Sequence, residues 1–446
     1  MDDYNEAFRW KEEPAAEELA MRLFDRSLEQ NSALQLLDEQ LHELTSTRLF
    51  DWVDHLVAAD TADMRASLKE AGYEEEGTFA QVVSFRHFGA QLPAIVLGSG
   101  EPGVAVSVDS ISDFLMVRGL QRDIDGSLYS PYRRCLVGSE KGTAFWVVER
   151  RGSRTMEASY PSDEYVSDYL KSKELWKTRA RGSIDDAVLC AKELVDMMGR
   201  DLAAWIVCEV EREYWQARNR AGHIQKGRQD RLGMGWANHD HHTFRSSRNH
   251  FRELVSLFEL LGFHCRERFY AGEEAGWGAQ VMENTASGLV LFLDVDLQPD
   301  EVAIDFAHEA LPKEETLGTI GLWCGLHGDS ILEAGMHHLE LQFNFDDLRK
   351  DLDALGVGMM APFSDFDYLK QAFTQGEVWP VDPQKVESLL TEGYITKEQA
   401  ERFLSDGAVG SHMENLQRRK GYKGFNQKNV SNIIKRTDPR TLTSKP

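Results

Sequence analysis

The chain has 446 residues, 42% of them hydrophobic, so it holds material for two or three domain-sized units with real cores. A net charge of −24 excludes a generic nucleic-acid partner, which needs clustered cations, but leaves room for a local cationic pocket around an acidic small molecule. Five scattered cysteines without a Cys-x-x-Cys pair exclude a disulfide framework or a zinc ribbon, and the absence of an apolar run of about 18 residues excludes a membrane-spanning helix, so a cytoplasmic protein is expected.

Residues 1–45 read as an N-terminal helical segment, with Leu19, Leu23, Leu34, Leu37 and Leu41 recurring at helical spacing. Over 46–160 the pattern changes to short strands around a helix at 61–71. Strands are predicted at 52–57, 79–85, 90–97, 103–108, 113–118 and 143–149, with Pro93 marking an edge or bulge. Residues 161–232 read as a helical connector, with one continuous helical stretch over 183–230. Strand, helix and strands return over 233–330, and again over 331–430 with a helical insertion at 363–405. That insertion is expected to form either a lid or a packing element. Residues 431–446 read as a mobile, basic tail.

The order strand, helix, strand occurs three times, and the repeats match by residue. Asp54-His55, a helix and Gly72-Tyr73 parallel Asp240-His241, a helix and Gly262-Phe263. His338, a helix and Gly356-Val357 open the third copy. The predicted fold class is α+β: repeated βαβββ modules that pair into a cup-shaped, half-open mixed sheet, with additional helical segments.

Side-chain alternation selects the candidate site. In Asp240-His241-His242-Thr243-Phe244-Arg245, His241, Thr243 and Arg245 share one strand face, and His242 is grouped with Phe244. His241 and Arg245 are then roughly 13 Å apart by strand rise, spacing that suits a metal at one end of an acidic substrate and a cation at the other. In Met336–Phe343, His338, Glu340 and Gln342 share one face, while His337, Leu339, Leu341 and Phe343 share the apolar one expected to pack on Leu348 and Leu352. Two histidines and a carboxylate make a facial triad with open positions if the metal is iron. Glu414, in Gly410–Arg418, is the candidate carboxylate, with His412 as the alternative ligand or a supporting group. A rival site around His55, with a carboxylate from Glu149, is conceivable in the upstream module. No arginine follows His55 four residues on, where Ala59 stands, so that module is read as a degenerate scaffold copy.

Paired βαβββ modules with ligands on their opening strands resemble the vicinal oxygen chelate superfamily. Within it, residues 236–420 look most like the iron-dependent 2-oxoadipate dioxygenase/decarboxylase family. The motifs are Asp240–Arg245, then Leu260–Phe263 and Arg266–Phe269, then His337–Glu340, then Gly410, Ser411, Glu414 and Arg418. The chain departs from the family pattern at Thr243, at Leu339-Glu340 and in the extra module over 46–160. The resemblance implies Fe(II) bound by His241, His338 and Glu414, with Zn, Mn or Ni as alternative metals. It implies Arg245 on a substrate carboxylate with Arg418 assisting. The implied reaction is dioxygen-dependent decarboxylation of a 2-oxo acid, such as 2-oxoadipate, to a hydroxy acid such as 2-hydroxyglutarate. The alternatives are a glyoxalase, epimerase or ring-cleaving enzyme on the same modules, or a non-catalytic ligand-binding protein.

Overall fold

The computed structural model describes residues 10–79, 82–426 and 438–440. Most of the expected tail, 431–446, therefore lies outside the described residues. Two helices open the chain, Pro14–Gln30 and Ser32–Thr45, divided where the Asn31 side chain accepts from the backbone N–H groups of Ala33 and Leu34.

The first sheet has seven strands: β1 (Val53–Ala59), β2 (Glu74–Phe79), β3 (Val82–Arg86), β4 (Ala94–Gly98), β5 (Gly103–Ser107), β6 (Tyr132–Glu140) and β7 (Thr143–Arg150). Their order is β2-β3-β4-β1-β5-β7-β6. β1 and β5 run antiparallel at the centre, and each is flanked by a parallel strand, β4 or β7. This sheet is thus built from two modules: a full βαβββ over β1–β4 and a shortened one over β5–β7.

The stretch 113–118, predicted as a strand, lies in a helix, Ile111–Val117, that forms the α element of that shortened module. Its cause is local. The Ser110 side chain accepts from the Asp113 N–H and starts the helix, and Ile111, Phe114 and Leu115 bury one helical face.

Four helices follow, Asp163–Thr178, Ile184–Met198, Arg200–Gln216 and Arg220–Asp230. The expected single stretch over 183–230 is thereby cut twice. Gly199 takes φ 75°, a conformation that ends one helix, and Asn219 caps the next through its side chain and the Gly222 N–H.

The second sheet carries the candidate site. Its strands are β8 (His239–Arg245), β9 (His264–Tyr270), β10 (Trp277–Asn284), β11 (Leu289–Asp296), β12 (His338–Gln342), β13 (Ser364–Asp365), β14 (Leu369–Phe373), β15 (Glu377–Trp379) and β16 (Ala408–Arg418). The order is β13-β14-β16-β12-β8-β11-β10-β9, with β15 on β16. The design repeats that of the first sheet: β8 and β12 are antiparallel at the centre, flanked by parallel β11 and β16. The result is the cup-shaped, half-open mixed sheet predicted from the repeat.

Helices Phe251–Leu260 and Phe345–Ala354 cover the convex side. Leu348 and Leu352 are fully buried there, as the apolar face of β12 requires. Each contributes about 1.5–3 kcal/mol of burial. Helices Pro383–Thr391 and Lys397–Asp406 pack through Val386, Leu389 and Phe403 onto Leu322 and Leu326 of the helix Thr319–His327. Neither helix lines the candidate site, so this pair packs rather than forms a lid, and the rest of the stretch expected as a helical insertion forms β13, β14 and β15 instead, with Gln371 and Phe373 of β14 facing the site.

One ion pair ties the first sheet together. Arg150 of β7 grips Asp54 of β1 with two nitrogens, at 2.5 and 2.9 Å, and Asp54 Oδ2 lies 2.6 Å from His55 Nδ1. Burial opposes the charge on Asp54, but Arg150 and His55 outweigh it and hold the carboxyl well below its ordinary 3.8. A depressed carboxyl pKa stabilises the fold above the unfolded value, and that contribution is lost as pH falls through the folded one. Asp54→Asn is therefore expected to cost about 3–5 kcal/mol at neutral pH. The difference from wild type should narrow only below about pH 4, which denaturant titration at two pH values would read.

Candidate metal centre

Register brings the site together. On the two central strands Thr243 pairs with His338 and His241 with Glu340. On the parallel side Glu340 pairs with Glu414. Directly paired residues share a face, so His241, His338, Glu340 and Glu414 all point into the concave side. Ligand atoms of His241, His338 and Glu414 lie within 4.8 Å of one another, and all three residues are buried. His338 Nε2 is 3.0 Å from Glu414 Oε2, and His241 Nε2 is in contact with Glu340 Oε2.

The other member of each histidine doublet is elsewhere. His242 lies on the helix side, its Nε2 3.1 Å from Arg212 Nη1. The His337 ring packs edge-on against Trp323, and its Nδ1 lies 2.9 Å from His338 Nδ1, leaving His338 Nε2 for the site. His412 is not in the cluster. Its Nδ1 is 3.0 Å from the Thr374 carbonyl, and its ring packs on Phe373.

A β-bulge positions His241. The register between β8 and β12 shifts at Asp240, so Asp240 and His241 together oppose one step of β12. Strict alternation would put Asp240 on the far face. The bulge instead brings its Oδ1 to 3.2 Å from His241 Nδ1. Arg418, the last residue of β16, clamps Asp240 from behind with Nε and Nη2 at 3.2 and 3.1 Å. Its Nη1 donates to the carbonyls of Tyr422 and Gly424. The Arg418 guanidinium is therefore engaged outside the small cavity, and the chain Arg418–Asp240–His241 fixes which imidazole nitrogen faces the site. Asp240→Asn should lower metal affinity about 10–100-fold without unfolding the protein, measured by competition with a chelator.

Sequence reasoning gave no role to Glu340, Gln371 or Asp294. Glu340 was visible on the same face as His338. Gln371 of β14 donates through Nε2 to Glu340 Oε1 at 3.2 Å and to Glu414 Oε1 at 3.1 Å, bridging the two carboxylates. Asp294 pairs in register with Arg245 across β8 and β11. Nothing local in the sequence marks either residue, because both are placed by pairing between distant strands.

The electrostatics fit a divalent cation. Burial pushes Glu414 up to about 7, against the opposing pull of His241. Burial, with Glu414 and Asp240 nearby, pushes Glu340 well above the usual carboxylate range. Burial also drives His338 well below its ordinary value and lowers His241 against the pull of Asp240. Two imidazoles and two buried carboxyls thus converge with no cationic side chain in direct contact among the described residues, although the charge of Arg245 also lowers His338. A divalent ion bound there would supply that missing charge and favour the deprotonated form of these side chains.

Arg245 lies in the same cavity. Its guanidinium is buried, stacks over the Trp323 ring at 5.4 Å and stands 3.9 Å from Asp294 Oδ2. It makes no side-chain hydrogen bond among the described residues, and its buried Nε has no partner, nor has Thr243 Oγ1. Burial lowers its pKa and raises that of Asp294 to about 7. The cavity, about 70 Å3, is walled by Phe292, Phe363, Phe373 and Phe425.

The rival site around His55 is not assembled. Asp54 sits at a register shift of β1, as Asp240 does in β8, and Arg150 of β7 holds it as Arg418 of β16 holds Asp240. The other positions have changed. By register Ala105 stands where Glu340 would be, Trp146 where Glu414 would be, and Gly103 where His338 would be. Glu149 is taken by Arg133 and Arg151 and accepts from the Ile111 N–H. The first sheet has kept the support and lacks the rest of the ligand set.

No family model matches the sequence, and no curated protein does. Several solved structures are similar. 4-Hydroxymandelate synthase from Streptomyces coelicolor is 12% identical over 86% of this chain and 98% of that one, with a TM-score of 0.29. Methylmalonyl-CoA epimerase from Mycobacterium tuberculosis is 12% identical over 41% of this chain and 89% of its own, at 0.23. A xylose isomerase-like TIM barrel/4-hydroxyphenylpyruvate dioxygenase fusion protein is 13% identical over 96% of this chain and 58% of its own, at 0.23. At these values the functional reading rests on the geometry of the site.

Proposed function

We propose that this protein is a metal-dependent oxidoreductase of the vicinal oxygen chelate type. It would use Fe(II) held by His241, His338 and Glu414 to convert a 2-oxo acid and dioxygen into carbon dioxide and a hydroxy acid one carbon shorter. The observation that carries this reading is the pairing, on one concave face, of a two-histidine, one-carboxylate cluster with a buried arginine whose Nε has no hydrogen-bond partner among the described residues. A two-histidine, one-carboxylate set is the ligand pattern of non-haem iron oxygenases. When bound, such an ion supplies open coordination positions and the redox chemistry with dioxygen.

The chain supplies the rest. Arg245 offers a charge-assisted site for the substrate's acid end, and Trp323 and Asp294 hold the guanidinium in place. Thr243 Oγ1, between the histidine and the arginine on β8, is free to bond a substrate oxygen. The phenylalanine walls exclude water and strengthen each polar contact inside. The cavity, far smaller than the roughly 300–1,000 Å3 of a typical ligand pocket, favours a small acid over a bulky one.

One observation favours a second reading. Glu340 adds a second carboxylate against the metal ligands, a place from which a base could take a proton beside a metal-polarised carbonyl, as in an epimerase or glyoxalase. Anaerobic Fe(II) loading followed by oxygen uptake across a panel of 2-oxo acids separates the two. Oxygen consumption with matching carbon dioxide release is expected. Solvent-deuterium incorporation into substrate without oxygen uptake would move the assignment to the second reading.

A further inference from the structure

A second and larger cavity, about 300 Å3, lies between the two sheets. On a chain of net charge −24 its lining is inverted, with eight arginine and lysine side chains against five carboxylates. Three of the cations, Arg48, Arg150 and Arg418, are each matched to a carboxylate of their own.

The others share. Glu76 Oε1 accepts from both Arg86 Nε, at 2.8 Å, and Arg154 Nη1, at 3.2 Å. Glu283 Oε2 accepts from Arg266 Nη1 at 3.3 Å and lies 3.6 Å from Lys423 Nζ. Arg266 has a further partner in Glu267, whose second oxygen is taken by the Trp10 indole N–H. Four cations thus face three carboxylates, while Arg419 on the same lining has no ion-pair partner among the described residues. Burial lowers Arg154 and Lys423, and neighbouring arginines add to both shifts. Crowding half-buried cations around shared carboxylates costs free energy, which a bound anion would recover.

The geometry points to a binding site in this cleft for a small anion of two or more charges, a phosphate ester or polycarboxylate, held by Arg86 of β3 and Arg154 just after β7 on one side, and by Arg266 of β9 and Lys423 just after β16 on the other. The planar guanidinium forks suit either oxyanion, and the volume is that of a metabolite pocket. The site gives the first sheet a ligand-binding role independent of the metal reading. Only the Phe425 ring is common to this cleft and the metal cavity.

Calorimetric titration of the full chain with pyrophosphate, and separately with citrate, tests this at an ionic strength fixed with sodium chloride. At least one probe should bind saturably, and the tighter one identifies the anion's chemistry. Arg154→Gln and Lys423→Gln, one following each sheet's closing strand, should each weaken binding at least tenfold, and His241→Ala should leave it unchanged. The inference is overturned if neither probe binds. It is also overturned if binding survives both cleft substitutions, or if His241→Ala abolishes it and so places the anion on the metal.

Discussion

Glu414→Gln is expected to yield a folded protein that no longer retains iron. The substitution keeps the side-chain shape and the contact with Gln371 but removes the one negative charge that both His338 Nε2 and the bridging amide face. Changes outside the first ligand shell cost about 10–100-fold in metal affinity, and loss of a ligand should exceed that. Metal content after gel filtration, read beside a melting temperature no lower than that of metal-free wild type, checks it. Because wild type buries a carboxyl driven up to about 7, the metal-free variant should be no less stable than metal-free wild type. A variant that kept stoichiometric iron would remove Glu414 from the ligand set.

Arg245→Gln should separate substrate binding from metal binding. The guanidinium touches none of the three ligands, so iron content should stay at wild-type level. Hydrogen bonds to charged groups are worth about 1.5–3 kcal/mol, so KM for the 2-oxo acid should rise roughly 10–150-fold. Arg245→Lys should recover only part of this, since an ammonium cannot present a planar fork to a carboxylate. A fall in iron content together with the rise in KM would mean that Arg245 supports the fold of the site rather than the substrate.

The repeat and the strand faces were legible because they follow local rules. His241 and His338 could be chosen from their doublets because Phe244 and Leu339 mark the buried face of each strand, and period-two alternation does the rest. The same rule concealed Asp240. Alternation assigns it to the helix side, and only the bulge, a property of pairing with β12, turns it onto His241. Gln371 and Asp294 were hidden for a related reason, since register between strands dozens of residues apart is not written in either strand alone. The helix Ile111–Val117 was mistaken for a strand because a short apolar run fits both periods. Its Ser110 cap was the available signal. The first sheet's second module went unread for the same reason, since that helix is its middle element.

The arrangement in the first sheet also bears on how far its history can be reversed. Of the three positions that have changed, Ala105 and Trp146 could be exchanged as side chains, but Gly103, the counterpart of the ligand position His338, could not. A Cβ on Gly103 would run into the backbone of Ala144 on the neighbouring strand, not into a side chain able to turn aside. A histidine there demands that a whole strand move. Closeness of main chains thus keeps this half of the molecule from copying the triad of the other: on the present backbone no side chain can take the place that His338 holds there.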